Sequence, residues 1–256
     1  MYQNFNEIIL NEYKKSSSEI TSFFYNDKKY WLKKARATKS SLSHKIYYKF
    51  FKLELIVPVE EKTAKDALVF ETNKLIKFKN LGIEVPTIIF KNEEFFILED
   101  TGKNINSYIR KRDIKKEKMY YFIDKVILHL SKIHNNGEFH GGAQARNFTY
   151  KDNEINTIDL EDSFDKSIDI KLLQFRDFLL FLLSLTKTRA SFELDYNYII
   201  EKYIFLTKNY TFKNKLNKLA SKISFLIYLS DKKVINNILG RDVKSFFKLF
   251  KILKNL

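Results

Sequence analysis

The residues able to do chemistry fall in two short stretches and at two isolated positions. FHGGAQARNF carries His140, the pair Gly141-Gly142 and Asn147, and INTIDLEDSF carries Asp159 and Glu161. Carboxylate and amide oxygens are hard donors that suit a hard divalent cation. In an extended segment Asp159 and Glu161, two residues apart, project to the same side. Upstream, KYWLKKAR supplies the cations Lys33 and Lys34, and ALVFETNKLIKF supplies Glu71. Three of these residues also have an ordinary structural use: Asn147 as a turn cap, Asp159 as a loop acid, Glu71 as a solvated helix residue. Glycine at 142 offers no side chain to orient or accept a proton. The chain has no cysteine, so it has no disulfide framework, thiolate metal site or cysteine nucleophile.

Periodicity gives the elements that must position these groups. Residues 19–34 read as a hairpin turning at Asn26-Asp27. Residues 65–80 read as a helix with Leu68, Leu75, Ile76 and Phe78 on one face and Gly82 as its stop. IEVPTIIF and EEFFILED are strand-like, with Pro86 near the start of the first, where a missing N–H is tolerated. After a linker at Thr101-Gly102 the pattern turns helical: KEKMYYFIDKVILHLSKIHNNG runs to Gly137, a short strand INTIDL follows, and helices continue to the end. The expected organisation is α+β, with a mainly antiparallel sheet and one helix over residues 1–101 and a larger, mainly helical part over 102–256.

Forty-six Lys and Arg against 31 Asp and Glu give a formal charge of +15, which draws anionic partners. AT-rich coding produces the same lysine excess alongside many Asn, Ile, Phe and Tyr. Nucleic acid is not the expected partner, since no zinc-finger spacing, RNP-type aromatic motif or arginine-rich arm is present. The start of the chain lacks a basic segment followed by an apolar core. The longest apolar run, residues 178–185, is far short of the roughly 20 residues needed to span a bilayer. With no cysteine, a reducing compartment, the cytoplasm, is expected. HKIYYKFFKLEL, residues 44–55, interleaves lysines with aromatics, either as a packed connector or at an anionic membrane surface.

Taken in order, these motifs resemble the protein-kinase-like superfamily, and most closely its small bacterial members, the lipopolysaccharide core sugar kinases and aminoglycoside-phosphotransferase-like proteins. The resemblance spans residues 30 to 185 and implies a two-lobed fold that binds ATP and magnesium. Lys33, or its neighbour Lys34, would pair with the nucleotide phosphates and Glu71 would hold that lysine. Glu99 and Asp100, in FFILEDTG, would form the hinge against the adenine. Asn147 and Asp159 would hold the metal, and Glu161 would share that site or approach the acceptor hydroxyl, as would Asp162. Gln144 or Arg146 would orient substrate or neutralise charge. His140 would bond loop backbone, and a buried Asp177 would tie back to the same loop. Two departures stand out: no G-x-G-x-x-G precedes Lys33, where only KKSSSEI occurs, and Gly142 replaces the aspartate of the loop pattern H-x-D-x-x-x-x-N. The implied activity is an atypical ATP-dependent phosphotransfer to a sugar hydroxyl of an anionic glycolipid such as the lipopolysaccharide core, with Asp159, Glu161 and Asn147 as catalytic residues and the protein cytoplasmic or peripheral at the inner membrane. The alternative is a pseudokinase, a nucleotide-binding or regulatory module without catalysis. Oligomeric state is not encoded in any motif.

Overall fold

The computed structural model describes residues 2–39, 57–230 and 241–254, so residues 44–55, with the interleaved lysines and aromatics, lie outside the described residues. The described chain forms two compact units, one of residues 2–39, 57–103 and Thr149–Ile168, the other of residues 104–148, 169–230 and 241–254. This division differs from the sequence boundary at 101–102. The break falls at Lys103, and the segment after Thr149, which carries Asp159 and Glu161, belongs to the first unit.

In the first unit, α1 (Tyr2–Lys15) precedes the expected hairpin of β1 (Ile20–Tyr25) and β2 (Lys28–Lys34). Asn26 and Asp27 turn it with φ of 47° and 59°, the pair of positive values that a two-residue hairpin turn matched to strand twist requires. Next comes α2 (Ala64–Asn80), whose N-cap Thr63 accepts a hydrogen bond from the Asp66 N–H, and which stops at Leu81 and Gly82, where φ is 70°. Ile76, expected on the buried face of α2, is exposed; Leu68, Leu75 and Phe78 make that stripe. β3 (Ile88–Lys91) and β4 (Phe95–Glu99) complete an antiparallel sheet in the order β1-β2-β4-β3. Phe23, Leu32, Phe95 and Ile97 make a core with Ile9 of α1, and Tyr13 of α1 stacks on Phe95 at 4.5 Å. The unit thus holds two helices where the sequence pattern gave one. The apolar spacing Phe5, Ile8, Ile9, Tyr13 is helical but is interrupted by asparagines, weak helix formers.

A second, three-stranded sheet runs β5 (Lys103–Asn104), β6 (Phe148–Lys151), β7 (Glu154–Thr157), with a further two-residue turn at Asp152 and Asn153, φ 50° and 67°. Gly102, at φ 87°, lets the chain pass against this hairpin: a Cβ there would lie 2.2 Å from the Tyr150 carbonyl oxygen. The strand expected over INTIDL ends at Thr157, ahead of Asp159.

The second unit contains α3 (Asn106–Ile109), α4 (Lys116–Asn135), α5 (Ile170–Leu185), α6 (Tyr196–Thr207), α7 (Phe212–Ser230) and α8 (Arg241–Lys254). α4 ends where expected, with Gly137 at φ 72°. Asp169 caps α5 by accepting from the Lys171 N–H at 3.0 Å. Apolar almost all round, α5 is buried on most of its surface, as such a helix must be. Its Phe178 stacks on Tyr203 of α6 at 3.8 Å. Among the described residues no helix is long and apolar enough to cross a membrane.

Candidate active site

The pleat of β2 separates the two lysines that the sequence leaves open. Leu32 and Lys34 face α1, where the Lys34 ammonium lies 4.5 Å from the Tyr13 ring and donates to the Ser16 carbonyl at 2.7 Å. Lys33 points to the opposite face, towards α2, because successive strand residues alternate. There it donates to Glu71 at 2.8 Å and to Asp159 at 3.0 Å, with Glu161 at 3.6 Å. Glu71 sits one turn after Leu68 and one before Leu75, on the buried stripe of α2, and is only 3% exposed. Burial alone would pull the Lys33 pKa down; the carboxylates of Glu71, Asp159 and Glu161 outweigh it, and the ammonium is held charged, above its ordinary value. For Glu71 burial pushes the carboxyl up, and Lys33 pulls against it without cancelling the rise.

Asp159 reaches this cluster through a left-handed backbone, φ 63°, rather than by alternation along a strand. For an aspartate that conformation costs on the order of 1 kcal/mol and persists where the surroundings fix it. They do so on both sides. Upstream, the Thr157 N–H donates to the Glu84 carbonyl at 3.0 Å. Downstream, Lys62 donates to the Glu161 carbonyl at 2.9 Å and to Ser163 Oγ at 2.7 Å, and the Glu60 N–H donates to the Ser163 carbonyl at 2.9 Å. Arg36 adds a contact to the Glu161 carboxylate at 3.2 Å. Lys62 stands in no motif, and Arg36 closes the KYWLKKAR stretch without a role read from it; only the folded path brings them to Glu161.

Glu99 and Asp100 do not join the cluster. They line a cleft of about 330 Å³ together with Lys79, Glu84, Lys151 and Glu154. The Asp100 carboxylate accepts from Trp31 Nε1 at 2.7 Å and from the Gly102 N–H at 3.2 Å. The N–H groups of Glu99 and Asp100 bond to the Thr87 and Lys29 carbonyls, and the Asp100 carbonyl accepts from Lys151 Nζ. Those three backbone groups are thus already engaged within the unit.

Asn147 belongs to the second unit, at the end of a 3₁₀ turn (Ala145–Asn147), where its amide Nδ2 donates to the Gly142 carbonyl at 2.8 Å. α5 frames this loop. Asp177, fully buried, accepts from the His140 N–H at 2.6 Å and the Gly141 N–H at 2.9 Å. Arg176 donates to the Gly141 carbonyl, and Ser184 accepts from the Ala145 N–H at 3.1 Å. His140 Nδ1 accepts from the Gly142 N–H at 3.2 Å, so this histidine bonds loop backbone. Burial would raise the Asp177 pKa, but its hydrogen bond to His134 and the charges of His134, His140 and Arg176 hold it below the ordinary carboxylate range. Gly141 carries the left-handed φ of 102°; Gly142 does not lie in that region.

No family model matches the chain. It is similar to an uncharacterised protein of Haemophilus influenzae, 24% identical over 241 residues, which cover 93% of this chain and 91% of that relative. Among solved structures it is similar to the aminoglycoside phosphotransferase APH(2'')-Ib with ADP bound, at 10% identity, 96% coverage of each chain and a TM-score of 0.43. Two structures of APH(2'')-IIa are also similar. The ternary complex with streptomycin and ATP gives 9% identity, coverage of 97% and 95%, and a TM-score of 0.45. The gentamicin complex gives 11% identity, coverage of 98% and 95%, and a TM-score of 0.45.

Proposed function

We propose that the chain is an atypical ATP-dependent phosphotransferase that passes a phosphoryl group to a sugar hydroxyl of an anionic glycolipid, of the kind found in the lipopolysaccharide core. The observation that carries this reading is Lys33 held between a buried Glu71 and an Asp159 in a left-handed backbone conformation. A lysine fixed by a buried acid is a preset phosphate ligand, because its charge and position are settled before the anion arrives. Of the three carboxylates around Lys33, Glu161 is also met by Arg36, and Asp159, 37% exposed at its side chain, is the most open. That donor chemistry fits a magnesium ion, which is commonly held by one or two protein oxygens plus substrate phosphates. Among the described residues no group of three or more acidic, His or Cys side chains forms a closed metal cage. Asp159 is the proposed ligand from the first unit, and the ion, when bound, would neutralise the phosphate charge.

The protein's own groups supply the rest. Glu71 orients Lys33, Lys62 fixes the segment beyond Asp159, and Glu161 is the carboxylate available to a substrate hydroxyl in the absence of an acid at 142. Phosphoryl transfer depends mainly on positioning and charge neutralisation, so the missing acid slows transfer without removing every contribution. Saturating Mg-ATP, at 100 times its dissociation constant, should stabilise the protein by about 2.7 kcal/mol, and Asp159→Asn should abolish ADP release on a core oligosaccharide. An unmoved melting temperature in both proteins would refute nucleotide binding.

Gly142 favours a second reading, a regulatory nucleotide-binding module. The two part cleanly under Gly142→Asp, which the backbone at 142 accepts without left-handed strain. A phosphotransferase gains rate; a regulatory module binds nucleotide and turns over no hydroxyl acceptor before or after the substitution.

A further inference from the structure

Every large hydrophobic side chain that is exposed in the second unit, among those described, lies on one helix pair and the turn behind it. They are Tyr121 and Leu128 of α4, Tyr198 and Phe205 of α6, and Tyr210. Phe205 and Tyr210 expose 77% and 75% of their surface and Leu128 58%. The helices lie side by side: Tyr198 donates to Asp124 at 3.0 Å, Lys202 meets Asp124 at 2.6 Å, and Asn135 donates to the Leu206 carbonyl at 3.0 Å. Tyr121 and Leu128 are seven residues apart on α4 and Tyr198 and Phe205 seven apart on α6, so each pair shares one exposed helix face. Exposed aromatics grouped in this way mark an interaction surface rather than scattered surface residues.

Charge identifies the occupant. Residues 116–135 and 196–210, the two helices and the turn to Tyr210, carry six lysines, three acids and no arginine. Of the acids, Asp124 pairs with Lys202 and Glu201 with Lys213. Lys125 and Lys202 lie against the Tyr121 and Tyr198 rings, at 5.5 Å and 5.4 Å from their centroids. Protein interfaces are depleted in lysine and favour arginine. Lysines beside Tyr, Phe and Leu are instead the composition of a bilayer interface, where aromatics enter the headgroup region and lysine stems lie along it with their ammonium groups on anionic lipid. A second copy of the chain would bring like charge against like charge. We propose that the outer face of α4 and α6, with Tyr210, docks on an anionic lipid surface. The site is independent of the phosphotransfer reading.

Sedimentation of the full chain with phosphatidylcholine vesicles, with and without phosphatidylglycerol, tests this. Binding is expected only to the vesicles containing phosphatidylglycerol, and it should weaken as salt rises. Each lysine near the surface contributes about fivefold, so Lys125→Gln with Lys132→Gln should weaken binding about 30-fold. Leu128→Ser with Phe205→Ser, both exposed, should weaken it at least tenfold at unchanged melting temperature. Phe24→Ser, exposed in the first unit, should leave it intact. The proposal is overturned if the protein ignores phosphatidylglycerol or if both double variants bind like wild type. It is equally overturned if Leu128→Ser with Phe205→Ser instead dissolves a dimer, or abolishes binding to an acidic protein while vesicle binding persists.

Discussion

Replacing Lys33 by methionine should cost far more than losing one ion pair. Glu71 would be left 3% exposed on the face of α2 without the ammonium that bonds it at 2.8 Å, while Asp159 and Glu161, the other carboxylates on Lys33, lose the same partner. Removing one partner of a buried pair costs about 3–5 kcal/mol, because the surviving charge is stranded. For a chain of this size that is a fall in melting temperature of roughly 10 °C. The loss must depend on pH. The Glu71 carboxyl is already raised above its ordinary value by burial, and without Lys33 it rises further. A raised carboxyl favours the folded state fully below its unfolded pKa, near 4.5, and that contribution is lost as pH rises through the folded value. The difference between wild type and Lys33→Met should therefore be small near pH 4 and full at pH 7. Lys33→Met with Glu71→Leu should recover most of the stability at neutral pH, since an apolar pair of similar volume is tolerated where a lone charge is not. Urea unfolding of the three proteins across that range measures this directly. A deficit below about 1 kcal/mol at pH 7, or one that does not change with pH, would mean that Lys33 and Glu71 do not form the buried pair on which the site rests.

Two further outcomes follow from the backbone and from α5. Gly102→Ala should destabilise the protein by at least about 2 kcal/mol, through a Cβ 2.2 Å from the Tyr150 carbonyl at a φ of 87°, and a melting curve like that of wild type would contradict the close approach. Asp177 is held below its ordinary pKa, so its contribution is present above about pH 3.8 and lost as pH falls through the folded value. Asp177→Asn should lower stability at neutral pH and flatten the acid limb of the stability profile; an acid limb as steep as that of wild type would remove Asp177 as the anchor of the 140–147 loop.

Alternation and helical spacing made most of the regular elements legible: the hairpin with its Asn26-Asp27 turn, α2 with its glycine stop, β3, β4 and α4 follow from them. α1 escaped because its apolar positions are diluted by asparagine, and with it went the means to separate Lys33 from Lys34. That choice depends on which face of β2 a helix covers, a tertiary fact that no local pattern contains. Glu71 was more legible than it looked, since a glutamate in register with Leu68, Leu75 and Phe78 sits on a stripe that must be buried. Asp159 was placed by motif and its backbone was not: a left-handed aspartate depends on Lys62, Ser163 and Glu84 pinning the chain on either side. The assignment of residues 149–168 to the first unit was likewise hidden, because contacts distant in sequence hold it there, Lys33 with Asp159, Thr157 with Glu84 and Lys62 with Ser163 among them.

Gly142 takes on a sharper meaning in this setting. The loop from His140 to Asn147 owes its shape to Asp177, Arg176, Ser184, His140 and Asn147, every one of which bonds loop backbone. None of those bonds needs a side chain at position 142, so a glycine there leaves the loop built and removes only an acid. In the first unit Lys33 lies among Glu71, Asp159 and Glu161, with Arg36 on the Glu161 carboxylate and Lys62 on the Glu161 carbonyl. Because the loop keeps its framework without that acid, Gly142→Asp adds a carboxyl to a backbone already built, and the substitution reads the effect of the acid by itself.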